Sequence, residues 1–154
     1  MLKEGYLYHL KDAYFDLIND GFLTKNKSGK RPSYFVLKEE NSEILWFIPL
    51  STKVKKYKKI VEHKIKKYGR CSTVLIIEIA KKEQAVLIQN AFPTIAKFVD
   101  TFHMIDNVPV HVTNTLRKKI EQNFDETMKV YKTGLNLFFS DIEKFRNIML
   151  QELE

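Results

Sequence analysis

Short hydrophobic runs fill the first two thirds of the chain and predict an antiparallel sheet. SYFVLK (33–38) and EILWFIPL (43–50) are rich in aromatic and branched residues and flank EENS, a pattern typical of a β-hairpin. STVLIIEIA (72–80) and QAVLIQN (84–90) form a second predicted hairpin across KKE, and the first of these runs is hydrophobic enough for a central strand.

The flanking segments add shorter elements. GYLYHL (5–10) predicts a first strand, and the partial alternation of KFVDTFHMI (97–105) favours a further one. AYFDLIND (13–20) predicts a short helical or turn segment. TKNKSGKRPS (24–33) has no apolar residue to bury, so we expect a solvated loop. Pro49 cannot donate to a ladder, which places the end of its strand at an edge or a bulge.

Helical spacing of apolar residues occurs over three segments. Residues 54–68 carry one apolar stripe, with their lysines mainly on the other face. Thr113 is the predicted N-cap of an amphipathic helix that continues to Tyr131, and the same spacing returns over residues 138–153. The two C-terminal helices need a surface to cover, and the antiparallel sheet supplies it.

These elements predict an α+β fold with an antiparallel, partly closed sheet flanked by helices, the C-terminal ones over about residues 113–153. A chain of 154 residues with 44% hydrophobic composition has the size of one domain, so we expect residues 1–154 to fold as a single unit.

The net positive charge indicates which classes of partner the protein binds. The net charge is +7 and the pI is near 9.4, so nucleic acid is the leading class of partner and an anionic membrane the second. No stretch approaches the roughly 20 apolar residues that span a bilayer, no signal peptide is evident, and Cys71 is alone. We therefore expect a cytoplasmic protein.

The sequence offers little for metal or cofactor chemistry. The four histidines have no ligand spacing, and the five glycines form neither a P-loop nor a dinucleotide fingerprint. We expect no metal and no cofactor. None of the histidines can be assigned as a catalytic acid or base from the sequence.

The segment Lys53–Arg70 contains nine lysines or arginines against one acidic residue. Such a run is often only a solvated helix face, but a like-charged face also destabilises its own helix, which an anion would relieve. The candidate RNA-binding lysines at its start are Lys53, Lys55, Lys56 and Lys59. Binding through them would be strongly salt-dependent.

Several tyrosines lie near these basic segments in sequence. Aromatic rings beside a cationic groove are a common solution for binding single-stranded bases, although most aromatic residues in strands belong to the core. The candidates are Tyr6, Tyr8, Tyr14 and Tyr34, of which Tyr6 and Tyr8 share one face of their strand.

A hydroxyl pair, Ser51 and Thr52, stands where an apolar strand gives way to lysines. Two interpretations are open. The pair can bind a phosphate, with charge supplied by Lys53 or Lys55 or by Lys30 and Arg31. Alternatively, it caps the helix that follows, as Ser and Thr commonly do.

Three motifs occur in a recognisable order: KRPSYFVL, then WFIPLSTKVKK, then QAVLIQNAFPTI, with two helices closing the chain. This order resembles the ToxN/AbiQ/CptN family, the protein toxins of type III toxin–antitoxin and phage-defence systems. The shared features are a lysine before a buried strand, then a strand that ends in Pro-Leu and two hydroxyl residues before lysines. The resemblance covers nearly the whole chain.

The resemblance implies a metal-independent endoribonuclease with a small, barrel-like antiparallel core, similar to the Kid/MazF toxins. It also implies inhibition by a repetitive RNA antitoxin, which such toxins cut into pseudoknot units and hold in a closed ring of protein and RNA. Cellular or phage mRNA would be the substrate, with no DNA or membrane partner.

The resemblance also assigns residues by position. Ser51 and Thr52 match the family's active-site hydroxyl pair, and Lys30 matches the lysine ahead of the second strand. Tyr14, in AYFDL, lies near the family's N-terminal tyrosine.

Our hypothesis is attack by an RNA 2′-hydroxyl on the adjacent phosphate, which leaves a 2′,3′-cyclic phosphate and a 5′-hydroxyl. Lys30, with Arg31 or Lys53, would stabilise the phosphate charge, Ser51 and Thr52 would orient the phosphate or relay a proton, and a tyrosine or lysine would act as acid or base. The alternative is a non-catalytic RNA-binding module that uses the same groove. Membrane-surface association ranks last, because the apolar positions opposite the lysines are needed for the core.

Overall fold

The computed structural model describes residues 1–20 and 31–154. Helices and strands follow in this order: β1 Leu7–Leu10, α1 Asp12–Ile18, β2 Ser33–Lys38, β3 Leu45–Ser51, α2 Val54–Tyr68, β4 Leu75–Ile79, β5 Lys82–Val86, β6 Phe92–Thr94, β7 Val99–Phe102, β8 Met104–Ile105, β9 Val108–Pro109, α3 Asn114–Lys132 and α4 Ile142–Glu152. Short 3₁₀ helices at Ile88–Asn90 and Ala96–Phe98 flank β6.

The main sheet has the strand order β4-β5-β3-β2-β1-β7, and β6 also pairs with β3. All of these pairings are antiparallel. The α+β, antiparallel class predicted from the sequence is therefore confirmed. The sheet is not closed: within residues 1–20 and 31–154, the outer strands β4 and β7 do not pair with each other.

Strand β3 is interior to the sheet, which corrects the expectation that Pro49 marks an edge or a bulge. β2 lines one side of β3, while the other side is shared by β6 along Leu45–Phe47 and β5 along Leu50–Ser51. Pro49 lies between the segments that pair with β6 and with β5. The one position of β3 that has no N–H to donate is therefore at the point where the neighbouring strand changes from β6 to β5. Its carbonyl still accepts a hydrogen bond, from the backbone of Leu87 at 3.1 Å.

The core is built around aromatic residues of the central strands. The ring of Phe47 on β3 is fully buried and stacks on Phe35 of β2 at 5.1 Å and on Phe92 of β6 at 6.2 Å between centroids. Phe124 of α3 and Met149 of α4 are also buried in this cluster. The two C-terminal helices thus cover the sheet, as their apolar spacing predicts.

Helix α4 begins four residues later than the apolar spacing suggests. Phe138 precedes it, in a turn where the side chain of Asn136 accepts the Phe138 N–H at 2.8 Å, and Asp141 is the N-cap, accepting the Lys144 N–H at 3.1 Å. Phe138 is nevertheless buried, because the turn aims its ring at Phe124. Apolar spacing alone did not reveal the break.

Helix α2 has the predicted bounds and ends at Gly69, which adopts a positive φ of 81°. It packs through Tyr57 and Val61 on a small cluster around Leu87. Its last turns extend beyond that cluster, so that Ile65 and Tyr68 are 49% and 65% exposed. These two residues belong to the apolar stripe of residues 54–68, which the sequence analysis expected to be needed for the core. No helix in the described part of the chain is both long and apolar enough to cross a membrane.

Thr113 is the N-cap of α3, as the sequence predicts, and its hydroxyl accepts the N–H of Leu116 at 3.4 Å. We expect Thr113→Ala to lower the free energy of unfolding by about 1 kcal/mol, because this orphan N–H loses its partner. Urea denaturation followed by circular dichroism measures the change. Thr115→Ala, one position inside the helix start, is the control; an equal loss in both variants would contradict the capping role.

Candidate functional site

A cavity of about 350 Å³ opens where β3 runs into α2. β3, β5, the residues just before β2 and the segment from β7 to β8 all contribute to its wall. The lining residues are Arg31, Pro32, Leu50, Ser51, Thr52, Lys53, Lys82, Gln84, His103 and Ile105. This set contains three cationic side chains and no carboxylate, so it favours an anionic ligand.

The two hydroxyls at the end of β3 have different local roles. Ser51 Oγ accepts the backbone N–H of Lys53 at 3.1 Å and so holds the turn between strand and helix. The Thr52 carbonyl accepts the N–H of Val54 at 2.8 Å, while its exposed hydroxyl makes no hydrogen bond to any described residue. Thr52 is therefore the hydroxyl that is available to a ligand.

The interpretation that Ser51 and Thr52 cap the following helix is only partly correct: Ser51 holds the turn before α2, but neither hydroxyl caps the helix. The N-cap of α2 is Lys53, and no side chain caps it. No acidic residue occupies the first helical turn either. The amide groups at this end carry the positive end of the helix dipole, and they start beside the cavity that Ser51 and Thr52 line. Together with the cationic wall, this arrangement suits a phosphate group.

Two cavity residues on β5, Lys82 and Gln84, were missed by sequence reasoning. β5 lies beside β3 with Ala85 opposite Ser51, which brings the start of β5 next to the hydroxyl pair. Lys82 sits at the turn of a hairpin and gives no functional signal in the sequence. Only the pairing of β5 with β3 places it in the wall.

His103 lines the same cavity and forms a pair with His9, a contact that sequence reasoning also missed. His9 Nε2 and His103 Nδ1 are 3.0 Å apart, and both residues are half-buried. Burial lowers the pKa of His9, opposed by a hydrogen bond that the imidazole donates to the Arg31 backbone and by the charge of Asp100. Burial and the neighbouring His9 lower the pKa of His103. The neutral forms are thus favoured near pH 7.

Three of the four candidate tyrosines are core residues. Tyr8 is 2% exposed, and Tyr14 and Tyr34 are fully buried. The Tyr8 hydroxyl accepts the Lys3 N–H at 2.7 Å, and the Tyr14 hydroxyl donates to the Pro93 carbonyl at 2.7 Å. Burial also raises the pKa of each phenol. Rings in this position offer no face to an RNA base in the folded state.

Tyr6, the fourth candidate, is half-buried and packs between Phe102 and His111, at 5.4 and 5.0 Å between ring centroids. It does not line the cavity. The sequence placed Tyr6 and Tyr8 on one face of β1, and both rings do contact Phe102.

The predicted cationic residues divide into two groups. Arg31 and Lys53 line the cavity, whereas Lys30 lies outside the described residues. A separate set is exposed along α2, away from the cavity wall: Lys55, Lys56 and Lys59. None of these three makes an ion pair with a described residue. In contrast, Lys58 on the same helix pairs with Glu83 at 3.1 Å.

Within residues 1–20 and 31–154, no group of three or more histidine, cysteine or acidic side chains is placed to hold a metal ion. The cavity wall supplies two hydroxyls, three cations and one imidazole.

No protein-family model and no curated protein matches this chain in sequence. A solved structure matches it in fold: AbiQ, a lactococcal anti-phage endoribonuclease belonging to the type-III toxin-antitoxin system. The match covers 96% of this chain and 97% of the AbiQ chain with a TM-score of 0.72, at 11% sequence identity. The fold implied by the sequence resemblance is thereby supported over nearly the whole chain.

Proposed function

We propose that this protein is an endoribonuclease and the toxin of a type III toxin–antitoxin system. The observation that carries the proposal is the cavity at the end of β3, where the turn-holding hydroxyl of Ser51 meets the hydroxyl of Thr52 and three cations. Among residues 1–20 and 31–154, the Thr52 hydroxyl has no hydrogen-bond partner and no carboxylate lines this cavity. The likeness of the fold to an endoribonuclease of such a system supports the same function. The whole chain, residues 1–154, would act as one domain in the cytoplasm.

The proposed reaction needs no metal ion. The 2′-hydroxyl of one nucleotide attacks the adjacent phosphorus, and the P–O5′ bond breaks to leave a 2′,3′-cyclic phosphate and a 5′-hydroxyl. Negative charge grows on the non-bridging phosphate oxygens during this step. Arg31 and Lys53 stabilise that charge, with Lys30 beside Arg31 in sequence, and Thr52 donates a hydrogen bond to the phosphate.

Ser51 has a supporting role in this scheme. Its hydroxyl oxygen accepts the Lys53 N–H, which fixes the turn that presents both Thr52 and Lys53 to the cavity. Preorganised donors stabilise a transition state better than mobile ones, because they need no reorientation during the reaction.

The lysines of α2 have a second role in the proposal, that of holding a folded RNA. Lys55, Lys56 and Lys59 lie outside the cavity wall and are exposed, so they can contact phosphates that are not being cleaved. The partner would be a repetitive RNA antitoxin, cut into pseudoknot units and bound in a closed protein–RNA ring, as the sequence resemblance implies. Cellular or phage mRNA would be the substrate that this partner displaces.

The same exposed lysines favour the alternative, a non-catalytic RNA-binding module. One experiment separates the two: purified protein is incubated with mixed single-stranded RNA in EDTA, and the fragment ends are analysed. An endoribonuclease gives discrete fragments with 2′,3′-cyclic phosphate and 5′-hydroxyl ends. RNA that is bound but remains intact would overturn the proposal in favour of the binding module.

Replacing Lys55, Lys56 and Lys59 together by glutamine is expected to weaken RNA binding and to reduce its dependence on salt. Each phosphate contact with single-stranded nucleic acid contributes about 0.7 to the slope of log K against log salt, so three contacts predict a slope that is lower by about 2. Binding titrations at several salt concentrations measure it.

The matched control removes the same charge elsewhere, by Lys118→Gln, Lys119→Gln and Lys144→Gln on α3 and α4, where these lysines are also exposed. Equal slopes for the two triple variants would mean that RNA responds to net charge and not to the α2 face.

A further inference from the structure

The pair formed by His103, in the cavity wall, and His9 has no role in the proposed reaction as described so far. His9 lies in β1, and His103 follows β7 directly. The antiparallel pairing of β1 with β7, together with a hydrogen bond of 2.8 Å from the His103 N–H to the Leu7 carbonyl, sets the two imidazoles side by side. The pair is thus fixed by main-chain structure on both strands.

Each imidazole uses one nitrogen in the contact between the pair. The bond joins His9 Nε2 to His103 Nδ1, so the other nitrogen of His103, Nε2, takes no part in the contact between the two rings. His103 lines the cavity with Thr52 and Lys53, and its Nε2 makes no hydrogen bond to a described residue. A half-buried imidazole held at one nitrogen, with the other open to a ligand cavity, is the usual arrangement of a catalytic histidine.

We propose that His103 is the general base of the cleavage reaction and that His9 is its positioning residue, an assignment that rests on the proposed function. His103 Nε2 takes the proton of the attacking 2′-hydroxyl as the 2′ oxygen bonds to phosphorus. The P–O5′ bond breaks with its electron pair on O5′, which is protonated by water at the mouth of the cavity. The imidazolium formed on His103 donates from Nδ1 to Nε2 of His9, and it returns its proton to solvent after the product leaves.

The surroundings of the pair support a base that is neutral near pH 7. Asp100 and the backbone of Arg31 act on His9, and the cations Arg31, Lys53 and Lys82 line the cavity wall together with His103. Burial is the main reason for the lowered pKa of both imidazoles. Because the active form is unprotonated, cleavage should fall as the pH drops through this lowered pKa and should level off above it.

The test uses full-length protein and a single-stranded RNA in EDTA, with cleavage rates measured from pH 4.5 to 8. His103→Asn keeps an amide near the position of Nδ1 and removes Nε2. We expect its rate at pH 7.5 to fall about 10²-fold, within the range of general acid–base catalysis, and the acid limb of the profile to disappear. His103→Ala should lose as much and regain activity when free imidazole is added. His111→Gln, which changes an exposed histidine outside the cavity, is the control.

His9→Ala separates positioning from simple packing. We expect a smaller loss and an acid limb displaced to higher pH, because His103 would lose the burial and the neighbour that lower its pKa. A loss of rate with an unmoved limb would overturn the positioning role.

The outcomes distinguish this assignment from the proposed function. If the wild-type protein leaves the RNA intact, both fail. If it cuts, but His103→Asn cuts equally fast with the same pH profile, only the assignment of the base fails. The wild-type profile is a check that does not depend on the folding of any variant, and a rate that stays flat from pH 4.5 to 8 would overturn the assignment.

Discussion

Thr52→Ala is expected to reduce RNA cleavage by about 10²- to 10³-fold, the usual effect of removing one preorganised donor from a site of growing negative charge. The Thr52 hydroxyl lines the cavity and has no hydrogen-bond partner among the described residues, so its loss leaves the rest of the site in place. RNA binding should change little, because the cations of the cavity and of α2 remain. Cleavage rates and binding constants measured at one salt concentration separate the two effects.

Three variants serve as controls for this prediction. Thr52→Ser keeps a hydroxyl and should retain much of the activity, and Thr115→Ala removes an exposed hydroxyl on α3 and should retain all of it. The cleavage rate of Ser51→Ala should lie between those of Thr52→Ala and the wild type, because Ser51 acts through the turn that it holds. Cleavage near the wild-type rate by a folded Thr52→Ala protein would rule out this location of the site.

Glu39→Ala is expected to lower the free energy of unfolding by about 2 kcal/mol, the largest effect on stability that we predict from a polar contact. Glu39 lies in the β2–β3 turn, where its carboxylate accepts three hydrogen bonds from Arg146 of α4, at 2.6, 3.0 and 3.2 Å. The indole N–H of Trp46 donates to the same carboxylate at 2.8 Å. Alanine would leave both donors without a partner and would release α4 from the hairpin.

The same contact makes part of the stability depend on pH. Burial raises the pKa of the Glu39 carboxyl, but hydrogen bonds from Arg146 and Trp46 and the charge of Arg146 outweigh it, so the net pKa is lowered below 4.5. Because the folded pKa is the lower one, the stabilisation is complete above about pH 4.5 and is lost as the pH falls through the folded value. Glu39→Ala should therefore show a smaller loss of stability than wild type between pH 6 and 3.

Urea denaturation, followed by circular dichroism and by the fluorescence of the single tryptophan, measures both effects. Glu40→Ala is the matched control, since Glu40 is the exposed neighbour in the same turn. If the two variants lose the same stability at pH 7, the contact between Glu39 and Arg146 is not what anchors α4.

The first hairpin and the helices of this fold could be predicted from sequence because their signals are local. The expectation that the run at residues 72–80 forms a central strand was wrong, because β4 lies at the edge of the sheet. EENS separates two runs of strand formers, and the structure places the turn there, with the Glu39 N–H bonded to the Ile44 carbonyl at 2.9 Å. α2 has the bounds that its apolar spacing indicates, and Thr113 caps α3. The break before α4 was not predicted, because Phe138 keeps the apolar spacing of a helix although its backbone is not helical.

The sequence by itself determined the α+β class, the basic character and the hydroxyl pair that ends β3, since each depends on residues close together in the chain. Tertiary structure alone decided which other residues join that pair. Lys82 reaches the cavity because β5 pairs with β3. His103 meets His9, 94 residues away in the chain, because β7 pairs with β1. The tertiary structure also decided that Tyr8, Tyr14 and Tyr34 are buried. An aromatic ring is buried or exposed according to which face of its element the neighbouring elements cover.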